Sequence, residues 1–355
     1  MVCTTWHICA TGSPPCVTRG EISRVTRSTP LHIQQALHRC LGVEAGSIPI
    51  HSWADWSYAT NAQSTLANAT QETGWLPSPT TEPLAYWCLA FHAHGERQAT
   101  EAIADRLAVV QQDSGFVTAG EQYAAPRWPT SLAVLAWSVI QDVWPQRYRD
   151  NIRRGVDALL SIEGRRIDPT PDIGHDTQLV GWPWVDGTHS WVEPTALAVL
   201  ALKAAGQHAH PRVREAVRLL RDRQIQGGAW NCGNTLVLGQ TQANHVQPTG
   251  LALLALVDEE DSQQRNESAI RYLLRSLHRG TGTTSLCWAW HALAAHGRLP
   301  ASLANEIAVR TRCELGGGAS PYKLALLRLA AWEAKSPLVT HTRGGTEAFV
   351  AEVSV

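Results

Sequence analysis

A short phrase returns along this 355-residue chain: a proline, then a run of alanine and leucine. It opens as Glu82-Pro83-Leu84-Ala85, Trp128-Pro129-Thr130-Ser131-Leu132, Glu193-Pro194-Thr195-Ala196-Leu197 and Gln247-Pro248-Thr249-Gly250-Leu251. Weaker copies run from Thr284 to Ala295 and from Ser320-Pro321 to Trp332. Proline at a first helical position loses no hydrogen bond, because that N–H has no partner inside the helix. Alanine and leucine then propagate the helix. Each copy is apolar on nearly every side, so each helix must be buried on several sides. Gly95, Gly206 and Gly297 mark where three of the copies stop.

A second kind of helix follows each copy. The segments 99–110, 149–162, 211–223, 268–278 and 303–313 carry charge on one side and Leu, Ile or Val at helical spacing on the other. An apolar helix followed by an amphipathic one, repeated six times, predicts two concentric layers of hairpins that bury their inner faces only by stacking. A closed barrel hides those inner helices better than an open stack. The expected class is therefore all-α, an (α/α)6-like toroid. The expected organisation is a poorly patterned extension over residues 1–50, the helical domain over 51–336 and a tail over 337–355.

The connections after the amphipathic helices carry a second repeat. Gln224-Ile225-Gln226-Gly227-Gly228-Ala229-Trp230 fits Gln-x-x-x-Gly-x-Trp; Gln71 to Trp75, Gln111 to Phe116 and Gln178 to Trp182 are imperfect versions. This resembles the Gln–Trp repeat of squalene and oxidosqualene cyclases, shared more loosely with protein prenyltransferase β-subunits. The resemblance spans roughly residues 53–335. It implies a terpene cyclase or prenyltransferase type of enzyme that holds an apolar, polyprenyl-type substrate in a central cavity. The alternatives are a non-catalytic toroid that binds a lipid or peptide, and a β-subunit-like part of a larger assembly with a second helical subunit.

In such a barrel all inner helices run the same way, so their N-termini gather at one mouth. Glu82, Trp128, Glu193, Gln247 and Ser320 precede the helix-starting prolines and should meet there. The segment Gly181 to Ala196 is the richest in chemistry. It holds Trp182, Trp184 and Trp191 with Asp186, His189 and Glu193. The resembling cyclases place an Asp-x-Asp-Asp-Thr-Ala acid motif at an inner-helix start. Alignment on Thr195-Ala196 puts Glu193 at the position of the protonating acid, with Trp191 and Pro194 in place of the other two carboxylates. The resemblance thus implies Glu193, Asp186 and His189 as catalytic groups. Trp182, Trp184, Trp191, Trp128, Glu82, Gln247 and His245 are the expected substrate contacts. Indole faces there can stabilise a cation.

Other chemistries find less support. The net charge of −1 and the absence of a basic stripe argue against nucleic acid. The longest apolar runs, such as 196–202 and 251–257, are too short to span a bilayer, although peripheral membrane contact is compatible with an apolar substrate. The eight cysteines show no CxxC, and the first fifteen residues lack a signal-peptide pattern, which points to reduced thiols in a cytoplasmic protein. Cys287 and His291 lie four apart on one helix face, yet no closed set of metal ligands can be read from His175, Asp176, Asp186, Cys232, His245, Cys287 and His291. The expectation is no metal and no cofactor. Elemental analysis of the purified protein should find no stoichiometric zinc; one zinc per chain would promote the prenyltransferase reading.

Overall fold

The architecture comes from a computed structural model that describes residues 80–120, 125–261, 263–278, 280–316, 320–331 and 336–343. The extension expected over residues 1–50 and the Gln71–Trp75 turn lie outside the described residues. Six apolar helices carry the proline phrase or its variants: α1 (Thr81–Ala93), α3 (Pro129–Val139), α5 (Val192–Ala204), α7 (Val246–Ala255), α9 (Thr283–Ala295) and α11 (Pro321–Ala330). Between them lie the amphipathic α2 (Arg97–Val109), α4 (Arg149–Ser161), α6 (Pro211–Asp222), α8 (Arg265–Ser276) and α10 (Ala301–Gly316). Among the described residues strand is confined to one two-stranded hairpin, Leu236–Val237 with Gln240–Thr241, consistent with the all-α class.

The two helix types are buried as their patterns require. In α3 every residue from Pro129 to Val139 is buried; in α6 only Val213, Ala216, Val217, Leu219 and Leu220 are. Each inner helix packs on the next in chain order, and α11 packs back on α1. The amphipathic helices lie on the outside of this set: α2 on α1 and α3, α4 on α3, α6 on α5, α8 on α7, and α10 on α9 and α11. Gly250 stands where other copies have Ala or Ser, because a Cβ there would come within 2.7 Å of the Trp288 carbonyl on α9.

The repeated turns act as clamps. Gln224 Nε2 donates to Gly228 O in its own turn at 2.8 Å and to Arg265 O at the start of α8 at 3.0 Å. Gln111 makes the same pair of bonds, to Gly115 O and to Asn151 O at the start of α4. The indole of Trp230 donates back to Leu220 O of α6. Gln178 departs from this scheme and donates to Ile167 O within its own loop. Arg212 of α6 supplies the crossing bond instead, donating to Ile162 O at 2.8 Å. Three inner helices, α1, α5 and α9, end in Schellman turns: Gly95, Gly206 and Gly297 have φ of 75°, 76° and 67°, and the N–H after Gly95 returns to Phe91 O.

A last helix, α12 (Pro337–Arg343), begins where the tail was expected and packs on α5, α7 and α9 with Leu338 and Val339 buried. Pro337 and Thr340 share a cleft of about 510 Å³ with Ala93, at the end of α1, and Trp144, just past α3. This puts α12 across the C-terminal ends of the inner helices.

The acidic run Asp258-Glu259-Glu260-Asp261 between α7 and α8 is tied down by basic side chains. Glu259 takes two bonds from Arg214, at 2.7 and 2.6 Å, and an ion pair from Lys203 at 2.7 Å. Burial works to raise its pKa, but the Arg214 and Lys203 bonds outweigh it and hold the carboxyl at about 2. A carboxyl held below its unfolded value stabilises the fold above that value and stops doing so as pH falls through the folded one. Glu259→Gln should therefore lower unfolding free energy near pH 7 by roughly 2 kcal/mol. The loss should shrink toward pH 2 in denaturant titrations; a pH-independent loss would contradict the ion-pair account.

Candidate functional site

Three polar side chains occupy equivalent places at inner-helix starts. Glu82, Glu193 and Gln247 are the second residues of α1, α5 and α7. The preceding turns fix these starts. Thr195 Oγ1 accepts from Trp182 N at 2.9 Å and donates to Trp182 O, and Thr249 does the same for Trp230. Thr130 repeats the arrangement with Val117.

Helix α3 lies between α1 and α5 in the packing order, yet the charge of Glu193 bears on the Glu82 carboxyl. Both side chains therefore point into the space that the inner helices surround. Gln247 hydrogen-bonds Glu193 there. One turn below Glu82, on the same face, Tyr86 meets Tyr322 of α11 with ring centroids 5.4 Å apart and Trp288 of α9 at 5.8 Å. A carboxyl pair thus stands over an aromatic floor built from α1, α9 and α11.

Two effects compete on these carboxyls. A helix N-terminus favours the charged form, whereas burial favours the neutral one. Burial wins at both. It lifts Glu193 from the usual 4.5 to about 7, against the lowering bond to Gln247. Burial and then the charge of Glu193 lift Glu82 to about 7. The two protons leave in steps that belong to the pair. Burial also pushes the Tyr86 and Tyr322 hydroxyls well above their usual range, so they stay neutral.

The remaining residues expected at the mouth are spread more widely. Asp186 is exposed and accepts from Arg127 at 2.8 Å. His189 is exposed and lies against Trp191, centroids 5.0 Å apart. Neither residue pairs with Glu193, whose charge bears instead on Glu82. Trp184 meets Trp128 edge-on at 5.1 Å. Trp182 lies between layers, its indole donating to Leu159 O of α4 beneath the Arg212 guanidinium. His245 is the exposed residue just before α7, its N–H donating to Trp230 O. Among the described residues no three His, Cys, Asp or Glu side chains are grouped to hold a metal ion. No described helix is long and apolar enough to cross a membrane.

No family model matches the chain. Over 164 residues, 44% of its length, it is 29% identical to a protein of Sinorhizobium fredii (strain NBRC 101917 / NGR234) named "Probable squalene--hopene cyclase". The chain covers 24% of that relative's length, about a quarter. The match supports a distant, terpene-cyclase-like relationship.

Tyr86, Tyr322 and Trp288 did not stand out in the sequence as site residues. The signal available was spacing: Tyr86 lies four residues after Glu82, hence on the same helical face.

The carboxyl pair also leaves a mark on stability. A carboxyl whose folded pKa exceeds its unfolded value stabilises the fold at low pH and costs stability as pH rises from about 4.5 to about 7. Glu82→Gln and Glu193→Gln should each stabilise the protein at pH 8.5, by up to roughly 3 kcal/mol. The gain should vanish toward pH 4.5. Equal or lower stability of both variants at pH 8.5 would show that the pair is not buried as described.

Proposed function

We propose that the chain is a terpene-cyclase-like enzyme, a closed (α/α)6-like toroid that protonates an apolar, polyprenyl-type substrate from the Glu82–Glu193 pair. The observation that carries this reading is the pair itself: two carboxyls on different inner helices, both lifted by burial to about 7. Such a pair holds a proton near neutral pH in a setting where water competes poorly. The distant cyclase match and the packing of α11 back on α1 support the same reading.

In the proposed reaction the π electrons of a substrate alkene take the proton from the pair. A C–H bond forms and the positive charge moves to the neighbouring carbon. The faces of Trp288, Tyr86 and Tyr322 lie beneath and offer electron density to that cation. Attack by a second alkene of the same substrate would close a carbon ring. Loss of a proton from the product cation leaves a neutral alkene, and the pair is reprotonated for the next turnover. Gln247 orients Glu193, and the indoles of Trp128, Trp184 and Trp191 lie on the approach.

Incubation with squalene and a series of prenyl diphosphates, followed by product analysis, tests the proposal. Glu193→Gln and Glu82→Gln should each lower product formation at least about a hundredfold, the low end for a general acid. The rate should fall as pH rises through about 7, because only the protonated pair can donate. Full activity in both variants, or a rate that climbs through that range, would leave the toroid as a lipid- or peptide-binding protein.

A further inference from the structure

We propose that the cleft beside α12 is a binding site for an aromatic carboxylate, which Arg97 holds against the apolar wall around Trp144. The site is separate from the carboxyl pair and does not depend on the reaction proposed for it. His92, on the wall of the cleft, comes ten residues after Glu82 along α1, about 15 Å of helical rise.

The cleft has room for a ligand. Its volume of about 510 Å³ falls within the range of small-molecule sites, roughly 300–1,000 Å³. Three stretches far apart in sequence build it: the turn from α1 into α2, the segment just past α3, and the start of α12. Val143, Trp144 and Pro337 give it apolar surface, one from each side of a planar ring that enters. Arg97, Asp142 and His92 give it charge and hydrogen-bonding capacity.

Arg97 is the first residue of α2 and is exposed. Its guanidinium carbon lies 5.9 Å from the centre of the Trp144 ring. Glu101, one helical turn on, is the natural partner for it, but Glu101 pairs with Arg147 at 2.6 Å. Among the described residues no carboxylate is ion-paired with Arg97. A guanidinium presents its N–H donors as a flat fork that takes a carboxylate with two bonds, and its plane also stacks on aromatic rings. Arg97 and Trp144 thus place a free fork at the edge of an apolar wall. A carboxylate on an aromatic ring matches both at once.

Asp142 is the opposing charge in the cleft. It is exposed, with His92 Nε2 3.5 Å from its Oδ2. Burial pulls the His92 pKa below its usual value more strongly than Asp142 lifts it, so near pH 7 the imidazole is mainly neutral. Asp142 therefore has a polar neighbour, whereas Arg97 has only the indole. The fork gains more from a ligand than the carboxylate does, and an anion is the better match. Asp142 should oppose that anion, which fixes the sign of a second test.

The test is titration calorimetry of the full chain at pH 7 with 2-naphthoate, and with 2-naphthalenemethanol and 2-naphthylmethylamine as neutral and cationic controls. Naphthoate should bind at least about tenfold more tightly than either control. Arg97→Gln should weaken naphthoate by about tenfold and leave the alcohol unchanged, whereas Asp142→Asn should tighten naphthoate about threefold, as removal of an exposed like charge predicts. Both positions are exposed, and equal melting temperatures of the unliganded variants confirm that they fold. Bound naphthoate should raise the melting temperature of the unmodified protein, because it ties α12 to the ends of α1 and α3. No binding of naphthoate, or equal affinity for the three compounds, would overturn the proposal. So would naphthoate affinity that survives Arg97→Gln, or that stays level or falls in Asp142→Asn.

Discussion

An inner helix without a polar face needs neighbours on every side, and this requirement organises the molecule. Along α3 and α5 almost nothing is left for water, so each inner helix takes the next on either flank and an amphipathic helix behind it. Burial of such helices is worth roughly 25 cal/mol per Å² of apolar surface, which sets the arrangement in general terms. The register is set by polar clamps. A glutamine closes its own turn and ties down the next outer helix, while a threonine one turn into the inner helix holds the preceding loop.

The same crowding creates the chemistry. Glu82 and Glu193 sit where helix dipoles should keep them ionised, yet burial draws both toward neutrality and the charge of Glu193 adds to it at Glu82. On the outside, the opposite balance holds for Glu259, which pairs with Arg214 and Lys203 and stays charged. Carboxyls of one chain are thus driven in opposite directions by the company they keep. The inward-facing ones are drawn toward the protonated form, and the outer one becomes a fastener.

Much of the scaffold was legible in the sequence because its signals are local. Proline marked the starts, glycine the stops, and apolar pattern separated inner from outer helices within a few residues of the observed bounds. Glu193 was legible for the same reason, since its proline fixes its place on the helix. Its partner was not. The sequence grouped it with Asp186 and His189, its neighbours along the chain, whereas the carboxyl its charge acts on is Glu82, 111 positions earlier. Asp186 was drawn off by Arg127, which no local pattern announces. Tyr322 and Trp288 were hidden by their surroundings, for an aromatic among apolar residues reads as core. Gln178 looked like a turn clamp, but the long loop that contains it shifts its side chain to Ile167.

The contact between α1 and α11 has a consequence for how the chain is made. Glu96 at the start of α2 pairs with Arg328 of α11, a partner 232 residues later. At about 5–20 residues per second, a ribosome needs roughly 10–50 s to deliver that partner. Through this interval the flank of α1 that carries Tyr86 and Phe91 lacks its partners Tyr322 and Arg328 while hairpins already made stack on its other side. Synthesis therefore leaves a sticky edge at the beginning of the fold until nearly its end. Such an edge is a natural client for chaperones, and interruption of translation would leave a stack of hairpins prone to join with a second copy.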